Sequence, residues 1–189
     1  MRIAFVIYDG MTTLDFIGAY DSLVRLQTMG FLPDLEWDVC AQTEEIQDGT
    51  ELAIGASQVG QSLADYDLLY VPGARRPPLD TEFIDWIRTA APVEGKVSVC
   101  TGALILGEAG FLEGKQATTH PMAFDDLRRY CTVVEDRRIV TDGNVTTARG
   151  VTASIDLGLY LCEELAGKDA KEQIQSQMDY PHETCSAVD

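Results

Sequence analysis

The chain has 189 residues and a formal charge of −17, from 31 acidic side chains against 14 basic ones. That length fits one domain able to bury a sizeable core, and that charge makes nucleic acid and anionic membranes poor partners. No apolar run reaches the roughly 18 residues a membrane span needs.

The N-terminal stretch Arg2–Tyr8 carries one arginine and a short apolar run, but Asp9, Asp15 and Asp21 follow too soon for a secretion signal. It reads instead as a buried strand of a parallel sheet, and a cytoplasmic protein is expected. Phe16, Tyr20, Leu23 and Val24 recur at helical spacing and predict a helix to about Met29. Leu35–Ala41 reads as a second strand, Leu52–Ser57 as a short edge strand, and Tyr66–Pro72 as a third buried strand ending at Gly73. Phe83, Ile84, Ile87 and Ala91 mark the next helix, and Val97–Cys100 the central strand after it. Thr101–Ala109 is apolar on nearly every face and predicts a buried helix. Gly114–His120 leads to a helix over Phe124–Tyr130. Thr132–Val134, Arg138–Val140 and Asn144–Ala148 read as a β-ribbon with a tight turn at Asp142-Gly143. Val151–Leu165 and Asp169–Met178 predict two closing helices before an irregular tail.

Strands alternating with helices imply a single α/β domain, a mostly parallel sheet sandwiched between helical layers. Ligands of such sheets bind at the carboxyl ends of the strands. That rule singles out Cys100, Gly73 and the loop from Tyr8 to Asp15.

Five cysteines, at 40, 100, 131, 162 and 185, show no CxxC and no metal-like spacing. An odd count argues against a disulfide framework. Cys100 is the informative one. A β-branched apolar run ends on it, and Thr101-Gly102 then opens a helix, so the sulfur sits on a sharp strand-to-helix corner. There the first unpaired amides of the helix favour thiolate. A small buried residue at a strand end is the plainer reading. Gly73 lets the backbone come close to a ligand, and its amide with that of Thr101 would make an oxyanion-hole-like pair, with Ala74 beside it; a simple tight turn explains the glycine too.

Four blocks carry a resemblance that extends over nearly the whole chain: Leu14-Asp15-Phe16-Ile17-Gly18; Val71-Pro72-Gly73; Cys100-Thr101-Gly102-Ala103 continuing through Glu108–Leu112 to Ala117-Thr118-Thr119-His120; and Gly150–Asp156. The sequence resembles the ThiJ/PfpI superfamily, and within it the isonitrile hydratase-like branch. The resemblance implies a flavodoxin-like fold, a nucleophile-elbow cysteine and a homodimer with the active site near its interface. It also implies that Asp15, which by itself reads as a helix cap or surface acid, is the general acid and base. Thr101 matches the residue after the nucleophile, supplying an amide and a hydroxyl, and His120 falls where relatives often carry a histidine near the pocket; a histidine that simply bridges backbone groups is the equal alternative.

The expected reaction is hydration of an isonitrile to an N-substituted formamide through a cysteine thioimidate, with no metal or organic cofactor. Glyoxalase- or deglycase-like attack on an aldehyde is the alternative, although those relatives usually carry glutamate where Asp15 stands. A non-catalytic cysteine redox sensor or ligand-binding protein is another. A protease is disfavoured, because Thr101 occupies the place of a histidine. The sequence departs from the branch at Ile17 and Ala19, in the loop Ala74-Arg75-Arg76-Pro77-Pro78, which replaces a glycine-rich one, and at Arg149, which replaces a small residue. Three arginines near the pocket would admit a carboxylate-bearing substrate, or would pair with surface carboxylates. Finally, the acidic excess is spread along the chain, with four lysines against ten arginines. This is the pattern of adaptation to a salt-rich cytoplasm, although an acidic mesophilic enzyme also produces it.

Overall fold

The computed structural model describes residues 1–181; Cys185 and most of the expected tail lie outside them. Its centre is a seven-stranded sheet built from β1 (Arg2–Val6), β2 (Glu36–Ala41), β5 (Gln58–Val59), β6 (Leu68–Val71), β7 (Gly95–Val99), β10 (Ile139–Asp142) and β11 (Val145–Ala148). The spatial order is β10-β11-β7-β6-β1-β2-β5. Every neighbouring pair is parallel except β10 with β11. Strand β6 and all of β1 after Arg2 are continuous apolar runs, as burial on both faces demands, whereas β7 buries Lys96 and Ser98 beside its valines.

Helices α1 (Thr13–Thr28), α5 (Ala153–Ala166) and α6 (Lys168–Gln177) pack together, while α2 (Thr81–Arg88), α3 (Gly102–Glu108) and the short α4 (Phe124–Leu127) form a second group joined through α3. The result is the flavodoxin-like α/β sandwich. Helices α1 and α5 cross at small residues. A Cβ on Gly158 would lie 2.9 Å from Ala19 Cα, and one on Gly18 would lie 2.2 Å from Ser154 Oγ. This close crossing brings the N-termini of α1 and α5 to one end of the sheet.

Several peripheral elements differ from the sequence reading. Ala53–Gly55 (β4) is not an edge of the main sheet. It pairs with β3 (Glu45–Gln47) in a separate hairpin, and β5 forms the edge. Val133–Val134 (β9) leaves the expected ribbon to pair with β8 (Gln116–Ala117). The ribbon itself is β10–β11, and β11 continues into the main sheet beside β7. The helix expected over Phe124–Tyr130 is one turn, preceded by a 3-10 turn at Pro121–Ala123. Helix α5 starts at Ala153, not Val151, because Val151 holds a φ of 38° that no right-handed helix accommodates. Cys40, Cys100, Cys131 and Cys162 are all free thiols. Among the described residues, no helix is long and apolar enough to cross a membrane.

Candidate active site

Cys100 follows β7 directly and has a φ of 56°. A non-glycine residue in this left-handed region is strained and is held only where its surroundings fix it. Here its amide donates to Ala148 O at 3.0 Å and Arg149 O at 2.9 Å, and its carbonyl accepts from the Thr119 hydroxyl at 2.7 Å. The strain turns the chain from strand to helix within one residue and leaves Cys100 6% exposed at the carboxyl end of the sheet.

Close packing under the corner depends on two glycines. A Cβ on Gly102 would come within 2.4 Å of Val71 O, and one on Gly73 within 2.6 Å of Thr101 N and 2.7 Å of Cys100 Cβ. Gly73 thus allows the end of β6 to lie against the elbow. Its amide, expected to face the sulfur, donates instead to Asp15 Oδ2 at 3.0 Å. The Gly73 carbonyl accepts from Thr12 N at 2.8 Å. Ala74 is engaged as well: its amide donates to Thr101 Oγ1 at 2.8 Å, and its carbonyl accepts from the same hydroxyl at 2.6 Å. The Thr101 side chain therefore ties the β6 loop to the elbow, while its amide faces the Cys100 sulfur.

Asp15 is neither a helix cap nor a surface acid. It lies in the first turn of α1, after the uncapped N-cap residue Thr12, and is 0% exposed. Oδ2 has the Gly73 amide; Oδ1 is buried with no partner of full hydrogen-bond geometry, and the carboxyl interacts with the Cys100 thiol. Its backbone carbonyl accepts from Tyr70 Oη at 2.6 Å, and Tyr8 Oη donates to Pro72 O at 2.8 Å. Burial holds both phenols well above their ordinary pKa, so they act as neutral donors.

Burial dominates the electrostatics. It raises the Asp15 carboxyl to about 6, although the Gly73 amide and Cys100 thiol pull it down. Burial first, then the Asp15 charge, pushes the Cys100 thiol up to about 12, against the amides of Thr101 and Val151, which favour thiolate. Burial and the Asp15 charge therefore oppose the thiolate that the helix terminus alone favours. Both shifts favour the neutral form of each group, so the pair resists carrying two negative charges at once.

His120 is half-buried. Its Nδ1 accepts from Met122 N at 3.2 Å, and its ring lies where a Cβ on Gly150 would be, with Cδ2 at 2.2 Å. It thus packs on the turn after β11 and caps the 3-10 turn at Pro121–Ala123. Arg149 pairs with Asp136 and lies over the Phe124 ring at 5.7 Å, whereas Arg75 and Arg76 are exposed. The sequence reading assigned no role to Val151 or Ser154, although both fall in a block it singled out. Val151 turns its amide to the Cys100 sulfur, and the buried Ser154 hydroxyl contacts Val151 O and Leu14 O, each at 2.8 Å. Nothing about a valine signals a left-handed backbone, so only the fold reveals this donor. Among the described residues, no group of three or more His, Cys, Asp or Glu side chains is gathered around a point that could hold a metal ion.

A cysteine on a nucleophile elbow, facing a buried carboxyl at the carboxyl end of a flavodoxin-like sheet, defines a class of proteins. The chain belongs to the DJ-1/PfpI family, whose model matches residues 1–164. It is 36% identical over 185 residues to an isonitrile hydratase of Pseudomonas putida, covering 95% of this chain and 78% of that protein. It is 25% identical over 181 residues to DJ-1alpha of Drosophila melanogaster, covering 92% and 81%. The crystal structure of a ThiJ/PfpI family protein from Pseudomonas syringae superimposes with a TM-score of 0.86 at 30% identity, covering all of this chain and 78% of that one.

Proposed function

We propose that the chain is an isonitrile hydratase, with Cys100 as nucleophile and Asp15 as the single acid and base. The observation that carries this reading is the fully buried Asp15 carboxyl, which interacts with the Cys100 thiol and is aimed by the Gly73 amide. The Asp15 carboxylate takes the thiol proton as sulfur bonds to the terminal isonitrile carbon, and delivers that proton to the same carbon. The S–H bond breaks, C–S and C–H bonds form, and the product is the thioimidate R–N=CH–S. Asp15, again a carboxylate, then deprotonates water as its oxygen adds to the thioimidate carbon. One proton from that water ends on nitrogen, the other returns to sulfur as the C–S bond breaks, and R–NH–CHO leaves. The amides of Thr101 and Val151 hold the departing thiolate.

The measurement is single-turnover mass spectrometry with an isonitrile: a cysteine adduct on Cys100, followed by formamide release. Folded Cys100→Ala protein that still turns over would end the assignment, and wild-type turnover of methylglyoxal without isonitrile turnover would favour the aldehyde reading instead. We further propose a homodimer through the exposed start of α1, where Leu14 and Ile17 are 37% and 41% exposed on either side of Asp15. Ile17→Asp should then dissociate the dimer in sedimentation equilibrium.

A further inference from the structure

Fourteen lysine and arginine side chains face 31 carboxylates in this chain, and the surplus of acid leaves few cations unpartnered. Nine of them form ion pairs: Arg2, Arg25, Arg88, Arg128, Arg137, Arg138, Arg149, Lys168 and Lys171. Lys96 and Lys115 donate to backbone carbonyls, and Arg129 lies over the Tyr130 ring. Among the described residues only Arg75 and Arg76 have no carboxylate, carbonyl or ring partner. The next acid along the chain, Asp80, instead accepts from Phe83 N at the start of α2.

The position of these two arginines is fixed. Gly73 and Ala74 are bound on one side to Thr12 and Met11, in the loop leading to Asp15, and on the other to the Thr101 hydroxyl. Arg75 is the next residue, its Cα about 3.8 Å beyond that of Ala74. Pro77 and Pro78 follow, and a residue before proline is held in extended conformation. Two exposed guanidinium groups therefore leave a rigid anchor beside the elbow, at the carboxyl end of the sheet. On so acidic a surface, leaving two adjacent arginines unpaired costs favourable pairing elsewhere, and a guanidinium matches a carboxylate in a bidentate fork.

We infer that Arg75 and Arg76 are the anion-recognition element of the Cys100 site, and that its substrate is a small isonitrile carrying a carboxylate. The substrate class rests on the hydratase reading; the anion recognition does not, so two measurements separate them. In the first, isocyanoacetate and its methyl ester are compared with wild type, Arg75→Gln/Arg76→Gln and Arg75→Lys/Arg76→Lys. The acid-to-ester ratio of kcat/KM should fall at least about fivefold in the glutamine variant and remain within about twofold of wild type in the lysine variant, which keeps the charge. A smaller fall overturns the substrate class. If neither compound turns over in wild type, the hydratase reading fails.

The second measurement needs no turnover. Cys100 is alkylated with iodoacetate, an anion, and with iodoacetamide, its neutral counterpart, and followed by peptide mass. The iodoacetate-to-iodoacetamide rate ratio should fall by about fivefold or more in the glutamine variant, and in wild type as salt rises to 1 M and screening shortens to about 3 Å. A ratio unmoved by both changes overturns the anion recognition itself. Circular dichroism melting of each variant ensures that only folded protein is compared.

Discussion

Asp15 shows how one side chain changes meaning between sequence and structure. By its local sequence it is an acid near a helix start, where a cap or a solvated charge explains it as well as catalysis does; only the matching motif favoured the last. In the fold it is fully buried, with one oxygen on the Gly73 amide and the other without a partner of good geometry. Two measurable consequences follow from its carboxyl being raised to about 6. The proposed hydration uses the carboxylate beside a thiol, so kcat/KM should rise with pH to a plateau with a midpoint near 6. A rate independent of pH between 4 and 8 would remove Asp15 from the chemistry. The same shift also destabilises the fold. Because the folded carboxyl binds its proton more tightly than the unfolded one, the penalty is absent below about pH 4 and grows until about pH 6. Asp15→Asn should therefore abolish turnover, raise stability at pH 7 by on the order of 1–3 kcal/mol, and speed iodoacetamide alkylation of Cys100, whose thiol loses the neighbouring charge that helps push it up. Slower alkylation, or an unchanged thermal midpoint, would contradict the geometry of the pair.

At the scale of elements, what the sequence made legible follows from length and burial. β6 and all of β1 after Arg2 are apolar because helices cover both faces, and such runs are readable without partners. The β3–β4 hairpin was not readable: β3 has three residues and buries only Ile46, too few to show a period. The start of α5 was misplaced for a different reason, since Val151 is left-handed by tertiary constraint and not by preference. Cys100 was legible because a strand, a reactive residue and a helix signal adjoin in sequence; its second amide donor, on a loop 51 residues away (151 − 100), was not. The elbow's dependence on close packing can be tested by two methyl groups. Gly102→Ala places a Cβ against Val71 O, a backbone atom that can move only by shifting the elbow against β6. Turnover should fall by about tenfold or more, as small misplacements of reacting groups do. Gly158→Ala meets Ser22 and Ala19 at the α1–α5 crossing instead. Overpacking there should cost about 1–2 kcal/mol after the helix-propensity gain of alanine. If Gly102→Ala kept full activity, contact between β6 and the elbow would not be what aims the sulfur.

At the scale of the whole molecule, charge remains the property that the fold does not explain. Each surface ion pair in this structure is worth little alone, and pairing nine cations still leaves most of the carboxylates among the described residues without a salt bridge. Those charges repel over a Debye length of about 30 Å at 0.01 M salt but only about 3 Å at 1 M. Folding brings them together, and a dimer brings two such surfaces together, so both processes should strengthen with ionic strength. We therefore propose that the protein is built for a salt-rich interior. Its thermal midpoint should rise steadily from 0.1 to 3 M potassium chloride, with sodium sulfate as the control for general salting-out. Salt acts in the opposite sense at the mouth of the site, where it screens Arg75 and Arg76 from an anionic substrate. Stability and carboxylate preference should consequently move in opposite directions along one chloride series. A midpoint flat in chloride would refute the halophilic adaptation and leave the pairing of Cys100 with Asp15 untouched, because that pair is buried beyond the reach of screening.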